Sequence, residues 1–412
     1  MRRLRLDALP PEVGRRVACA AEIARELGTP LYLVGGAVRD LLLRRDVGDV
    51  DLVVPSDAAS FAQRLAKELG GRAKVHGRFG TATVELPDGY RLDVATARAE
   101  DYDRGGALPR VRPGSLTDDL ARRDFTVNAL AAEIGGGEVA ALVDPWSGRA
   151  DLERGVIRAL HPRSFADDPT RAFRAVRYAN RLGFRIEPAT RARIREAAKG
   201  GALDTISADR LRREIALLFS EPGRAAAARD LARLELARAI HPTLRYDAAA
   251  GRRLREAERL AADSGRAAGW LVYLLSWMGI SSEPAARAMA ARLNLPREAR
   301  DRVLAWPKAA RSLERATRGR PGTLAALLSR EDDDTVLAAA ASAPPPSRRS
   351  ILAARAVSPG FRLTIGGADL IAAGVSPGPS IGRALSRTLA ARREGTIRAE
   401  EELAYALKAA RG

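Results

Sequence analysis

The chain has 412 residues, 46% of them hydrophobic, enough for a substantial core divided among two to four domains. Its longest apolar stretch, Ala267 to Ile280, is too short to cross a bilayer, and the N-terminal MRRLRLDALPPEV has no apolar signal core behind it, so no membrane or export segment is expected. One cysteine, Cys19, excludes an internal disulfide, the three dispersed histidines (His76, His161, His241) lack zinc-site spacing, and a reducing cytoplasmic location fits. The net charge of +18 favours polyanionic partners, although an Arg- and Ala-rich residue usage contributes to it. Nucleic acid comes before an anionic membrane, because the arginines are spread over many segments with no apolar anchor beside them.

From Leu31 to about Val143 strand-like runs dominate: LYLVGG, VDLVV, TATVEL, YRLDVAT, VNALAAEI and EVAALVD, with one amphipathic helix over Ala58 to Leu69. An α+β head over residues 1–145 with a mixed or antiparallel sheet is expected. After Asp144 the strands stop, and helical segments punctuated by Pro222-Gly223, Pro242, Pro296 and Pro321-Gly322 continue to the end. They divide into a neck (146–205), a body (206–340) and a tail (347–412). Pro344, Pro345 and Pro346, followed by Ser-Arg-Arg, read as a linker between the last two.

Within LVGGAVRDLLLRRDVGDVDLVV (33–54), Asp49 and Asp51 alternate with Val50, Leu52 and Val53, and residues two apart on a strand share a face. Two carboxylates held together repel each other unless a cation lies between them, and Mg2+ suits hard oxygen ligands completed by substrate phosphates. Standing alone, an Asp-x-Asp beside Gly48 is more often a loop turn. Here it follows an apolar strand, the small pair Gly35-Gly36 where backbone can approach a phosphate, and a helix carrying Arg39 in its first turn.

That order and spacing resemble the signature of the DNA polymerase β-like nucleotidyltransferase superfamily, specifically the class II group of tRNA CCA-adding enzymes and bacterial poly(A) polymerases. The resemblance implies that Gly35, Gly36 and Arg39 hold a triphosphate and that Asp49 and Asp51 ligate its metals. RRDFTVNA (122–129) is similar to a further family element and implies that Arg122, Arg123, Asp124 and Asn128 help to bind the nucleotide. DPWSGRAD (144–151) resembles the element that joins head to neck. Asp167, Asp168 and Arg171 correspond to the family's nucleobase-selecting Glu-Asp-x-x-Arg, with Asp167 replacing the glutamate; Arg174 and Arg177 continue that element. With Pro169 in a first helical turn and Asp167 as its N-cap, Asp168 and Arg171 would share one helix face. An acceptor beside a fork of donors matches cytosine and adenine and mismatches uracil and guanine. An ordinary ion pair is the alternative for that spacing taken alone.

Asp93, in the alternating YRLDVAT, reads either as a third carboxylate on a neighbouring strand or as a polar surface residue. The implied reaction is in-line attack of an RNA 3′-hydroxyl on the α-phosphorus of CTP or ATP with loss of pyrophosphate. The family also implies that residues 99–121, which contain glycines and prolines, form a loop that assists the change from C to A. The basic helices after Leu211 carry few interleaved aromatics, so they suit the phosphates and A-form shape of the acceptor and TΨC arms of tRNA rather than base stacking. Gly374 to Gly382 forms either a phosphate-touching helix–turn–helix or a tight structural turn, and Trp270, Trp277 and Trp306 are assigned to a helical core. Full CCA addition is expected; CC-adding, A-adding or poly(A) activity, a non-catalytic RNA-binding relative, and the oligomeric state stay open.

Overall fold

Apolar alternation makes the N-terminal strands sheet-forming, and a computed structural model shows how they are ordered; it describes residues 6–77, 80–101, 105–106, 110–136, 138–265, 267–319, 321–357, 363–393 and 396–411. The strands are β1 (Leu31–Val34), β2 (Asp51–Val54), β3 (Arg72–His76), β4 (Thr81–Glu85), β5 (Arg91–Thr96), β6 (Arg98–Asp101), β7 (Arg110–Pro113), β8 (Ala131–Gly135), β9 (Glu138–Val143), β10 (Val156–Ile157) and β11 (Arg185–Ile186). Seven of them form a mixed sheet in the order β3-β4-β5-β2-β1-β8-β9. The β2–β5 pair is parallel and its neighbours are antiparallel. The LYLV strand takes a central position because nearly all of it is apolar and buried; the charged RAKVH lies mostly exposed at one edge.

The helices of this part are α1 (Pro11–Glu26), α2 (Gly36–Leu43), α3 (Ala58–Glu68), α4 (Leu116–Ala121), α5 (Gly148–Arg154), α6 (Ser164–Asp167), α7 (Thr170–Leu182) and α8 (Pro188–Lys199). The predicted helix over 58–69 matches α3, capped by Asp57, whose side chain accepts from the backbone N–H groups of Ala59 and Ser60. Three expectations need correction. The strand expected over VNALAAEI begins only at Ala131, because Thr126–Asn128 turn as a 3-10 helix. Strands do not stop at Asp144, since β10 and β11 pair in parallel. The charged β3, β6 and β7 were missed, for they have no apolar face to signal them.

The chain divides into two units: residues to Ser207 with Leu234–Leu236, and Ala208–Arg233 with Ala237 onward. The second unit is helical, from Ala208–Ser220 to Glu402–Arg411. Its core includes Trp277, which packs edge-to-face on Phe219 at 6.0 Å and donates to the Arg245 carbonyl, and Trp306, which donates to the Gly279 carbonyl. Trp277 and Trp306 are therefore core residues, while Trp270 is half-buried. Pro344–Pro346 is not a linker: Pro345 opens the helix Pro345–Val357, and Arg348 donates to the carbonyls of Ala340 and Ala343. Near the C-terminus, Gly374, at φ +89, separates the helices Gly367–Ala372 and Pro379–Arg393, whose Leu370 and Ala384 pack with Ala406. No helix among the described residues is long and apolar enough to cross a membrane.

α5 sits at backbone distance from the 126–128 turn. A Cβ at Gly148 would collide with the Thr126 carbonyl oxygen, and the Asp144 carboxylate accepts from Gly148 N–H at 2.7 Å and Arg149 N–H at 3.0 Å. Gly148→Ala is expected to lower stability by about 1–3 kcal/mol through this overlap, whereas Glu153→Ala on the exposed side of α5 shifts the denaturant midpoint little; urea unfolding of both variants checks it.

Candidate active site

β2 begins at Asp51, and Asp49 lies in the segment just before it, so the two aspartates do not both belong to the strand as expected. What the sheet adds is a register: Asp51 stands directly opposite Asp93 across the parallel β2–β5 pair. Parallel pairing turns aligned residues to the same face, so Asp93 is brought beside Asp51. Thr83, on the far side of β5, donates to Asp93 at 2.6 Å. Asp51 reaches solvent, yet enclosure by protein is the largest influence on its carboxyl and raises its pKa; Arg123 opposes this, and Asp93, Asp49 and Asp119 add to it. Carboxylate oxygens gathered at one place, only partly offset by Arg123, are a donor set that fits a hard divalent cation such as Mg2+. Among the described residues, no three acidic, histidine or cysteine side chains already converge as a metal cage.

The paired glycines lie at the junction of β1 and α2. Gly35 adopts φ +67, donates its N–H to the Leu130 carbonyl at 2.9 Å, and is the N-cap of α2. A Cβ there would collide with Arg123 Nη1, so the absent side chain makes room for a guanidinium above the turn. Arg123 Nε is buried without a hydrogen-bond partner.

Arg39 lies early in α2, as expected, but its donors go to protein side chains. It is buried, its Nε and Nη2 pair with the Asp40 carboxylate at 2.8 and 2.7 Å, and its Nη1 donates to Asn128 Oδ1 at 2.6 Å. Asn128 Nδ2 donates to Asp124 Oδ1 at 2.9 Å, and Asp124 Oδ2 receives Arg174 Nε at 2.8 Å. Arg39, Asp124 and Asn128 thus brace α2, the RRDFTVNA element and α7 against one another. Burial pushes the Asp124 carboxyl up, but Arg174, Asn128 and Arg171 more than offset this and hold its pKa below the usual aspartate value. Arg39, Arg174 and Arg177 surround the Tyr178 ring at 5.3, 5.4 and 4.7 Å from its centroid. Asp40 and Tyr178 were missed by sequence reasoning; the adjacency of Asp40 to Arg39 was the available signal.

At the neck, Asp167 does not cap α7. It ends α6 and pairs with Arg163 at 3.3 Å; Pro169 is the N-cap of α7, and Asp168 Oδ1 accepts from Thr170 N–H at 3.1 Å and Thr170 Oγ1 at 2.7 Å just before the helix. Asp168 therefore lies before α7 rather than on its face. Arg171 is buried; it donates to Ser164 Oγ at 3.0 Å and to the Arg122 carbonyl at 2.7 Å, which ties the selecting motif to the RRD element. In the loop 99–121, β6 and β7 pair as a hairpin, and Gly106, at φ +74, donates to the Asp167 carbonyl at 3.1 Å. Residues 102–104 and 107–109 of that loop lie outside the described residues.

Residues 31–158 match the family model described as the poly A polymerase head domain, and residues 183–247 match the probable RNA and SrmB-binding site of polymerase A. A CC-adding tRNA nucleotidyltransferase of Deinococcus radiodurans is 34% identical over 400 residues, 94% of this chain and 92% of that protein. An A-adding tRNA nucleotidyltransferase of Geobacter sulfurreducens is 44% identical over 223 residues, 54% of this chain but 25% of the relative, so the chain spans about a quarter of that relative's length. The Thermotoga maritima CCA-adding enzyme complexed with tRNA superposes with a TM-score of 0.82 at 27% identity, covering 98% of this chain and 97% of that one. Sheet order, paired-glycine turn and motif sequence define a nucleotidyltransferase head followed by a helical body. The chain belongs to the class II tRNA nucleotidyltransferase and poly(A) polymerase family, a family of enzymes.

A depressed native pKa makes Asp124 stabilising above the unfolded aspartate value of about 3.9, and that stabilisation is lost as pH falls through the lower native value. Asp124→Asn should cost about 3 kcal/mol at pH 7 by leaving Arg174 without its counter-charge. The gap between variant and wild type should narrow below about pH 4, measured by urea unfolding from pH 7 to 3.

Proposed function

We propose that this protein transfers nucleotides from CTP and ATP to the 3′ end of tRNA, building CCA and releasing pyrophosphate. The observation that carries this reading is the register of Asp51 against Asp93, two carboxylates paired across the sheet, together with the Gly35-Gly36 turn that opens α2 beneath the Arg123 guanidinium. Asp49, Asp51 and Asp93 would hold Mg2+, which when bound would acidify the 3′-hydroxyl and neutralise charge at the α-phosphorus. Arg123, above Gly35 and with a free Nε, would take the triphosphate in place of Arg39. Gly36 would let the phosphates approach the start of α2, and Arg122, Asp124, Asn128, Arg174 and Arg177 would fix the frame around them.

Asp168 would accept the exocyclic amino group of cytosine or adenine, and Arg171 would donate to the ring nitrogen. Arg171 is 4% exposed, so base entry requires its neighbours to move aside. Uracil and guanine would set a carbonyl against the carboxylate and leave a buried group unpaired, which is how such a site rejects them. The helical unit would follow the tRNA backbone, consistent with the +18 charge and with the tRNA named in the Thermotoga structure. A specialised reading is also supported: the full-length relative from Deinococcus is CC-adding, and the higher identity over half of the chain is to A-adding enzymes. Offering tRNAs that lack all of CCA, the last two nucleotides or only the A, and sequencing the products, separates these readings; a product stalled at CC with ample ATP overturns full CCA addition.

Asp49→Ala and Asp51→Ala should each reduce transfer by more than the ~100-fold typical of losing an outer-shell partner, with tRNA retained in a gel-shift assay. Near-normal turnover by either variant in Mg2+ would remove that residue from the site. Asp168→Ala should slow transfer and admit UTP and GTP; unchanged selection by the variant would place base reading elsewhere.

A further inference from the structure

Asp119 lies in the 99–121 segment without being one of the candidate site residues read from the sequence, yet its side chain is fully buried beside Arg122 and Arg123 of the RRD element. It lies in α4, a short helix started by a capping box between Ser115 and Asp118. Its Oδ1 accepts from Arg122 Nε at 3.0 Å and Nη2 at 2.6 Å, and its Oδ2 accepts from Arg123 Nη2 at 3.1 Å. One carboxylate thus fixes both arginines of the RRD element. Three and four residues separate it from them, so a single helical turn brings all three together.

The two arginines lead to opposite ends of a nucleotide. Arg123 stands over the Gly35 turn, where its unpartnered, buried Nε lacks an acceptor that an anionic group would supply. The backbone carbonyl of Arg122 accepts from Arg171, the guanidinium assigned to the base edge. Arg122 Nη1 also pairs with Glu100 Oε1 at 2.8 Å, on β6 at the root of the 99–121 loop. Asp119 therefore bonds to both arginines, and each arginine would reach a different part of the proposed substrate.

Resting on the nucleotidyl-transfer reading, we propose that Asp119 is a positioning residue that sets Arg123 for the triphosphate and, through Arg122, sets Arg171 for the base. It does not itself touch substrate. Asp119→Asn keeps the shape but removes the charge and turns an amide N–H2 toward one guanidinium. Loss of such a supporting partner costs roughly 10–100-fold in activity, and here it should divide between a raised KM for CTP and ATP and increased incorporation of UTP and GTP.

The test compares wild type, Asp119→Asn, Arg123→Ala and the double variant, in full-length protein with a tRNA lacking CCA. Steady-state KM, kcat and nucleotide selectivity are measured beside the thermal midpoint. The expected result is that Asp119→Asn raises KM and relaxes selectivity, and that its effect on KM disappears in the Arg123→Ala background because both changes act on one contact. Wild-type KM and selectivity in Asp119→Asn, or independent and additive KM losses, would overturn the proposal. If Asp119→Asn does not fold, Glu100→Gln tests the Arg122 arm: relaxed selectivity with unchanged KM supports the proposal, and unchanged selectivity overturns it. Absence of any transfer by the wild-type protein would instead refute the nucleotidyl-transfer reading on which the proposal rests.

Discussion

The head is organised around one buried carboxylate, Asp124. It accepts from Asn128 on one side and from Arg174 on the other, and Asn128 in turn receives Arg39, itself paired with Asp40. Charges this deeply buried persist only when each has a partner, so every member constrains the next. The chain of contacts crosses three segments far apart in sequence: the helix after the paired glycines, the RRDFTVNA element and α7. Any shift of α7 relative to the sheet would break a buried ionic contact, and this rigidity holds the Gly35-Gly36 turn and the start of α7 in one frame.

Around that frame the structure separates groups that brace from groups left available. Arg39 had the composition of a phosphate ligand, but its donors go to Asp40 and Asn128. Arg123, the second arginine of RRD, lies over the turn instead, with an unpartnered Nε. The carboxylates show a different balance: Asp51 faces Asp93 with Asp49 nearby, and burial first, then these neighbouring carboxylates, raise the Asp51 proton affinity against the opposing Arg123, where a cation would lower it. Bracing groups spend their donors on protein partners, whereas Arg123, although paired with Asp119 through Nη2, keeps an unpartnered Nε, and Asp51 faces other carboxylates as well as Arg123.

The sequence by itself determined the class of the protein, because the glycine pair, the Asp-x-Asp, RRDFT and Asp-Asp-x-x-Arg are local patterns whose order is fixed along the chain. It also determined the α+β head, the following helices and α3, whose apolar periodicity and Asp57 cap are read within a dozen residues. Edge strands β3, β6 and β7 escaped it, since strands without a buried face carry no alternation. Only the tertiary structure decided which residues meet. Asp93 is exposed on β5, and only the parallel register sets it against Asp51, forty-odd positions away. Arg39 and Arg123 look equivalent as sequence, and what distinguishes them, distant Asn128 as partner for one and the Gly35 turn beneath the other, is fixed by folding rather than by spacing. A side chain's charge is a local property, but whether that charge is already neutralised is a property of the packed molecule.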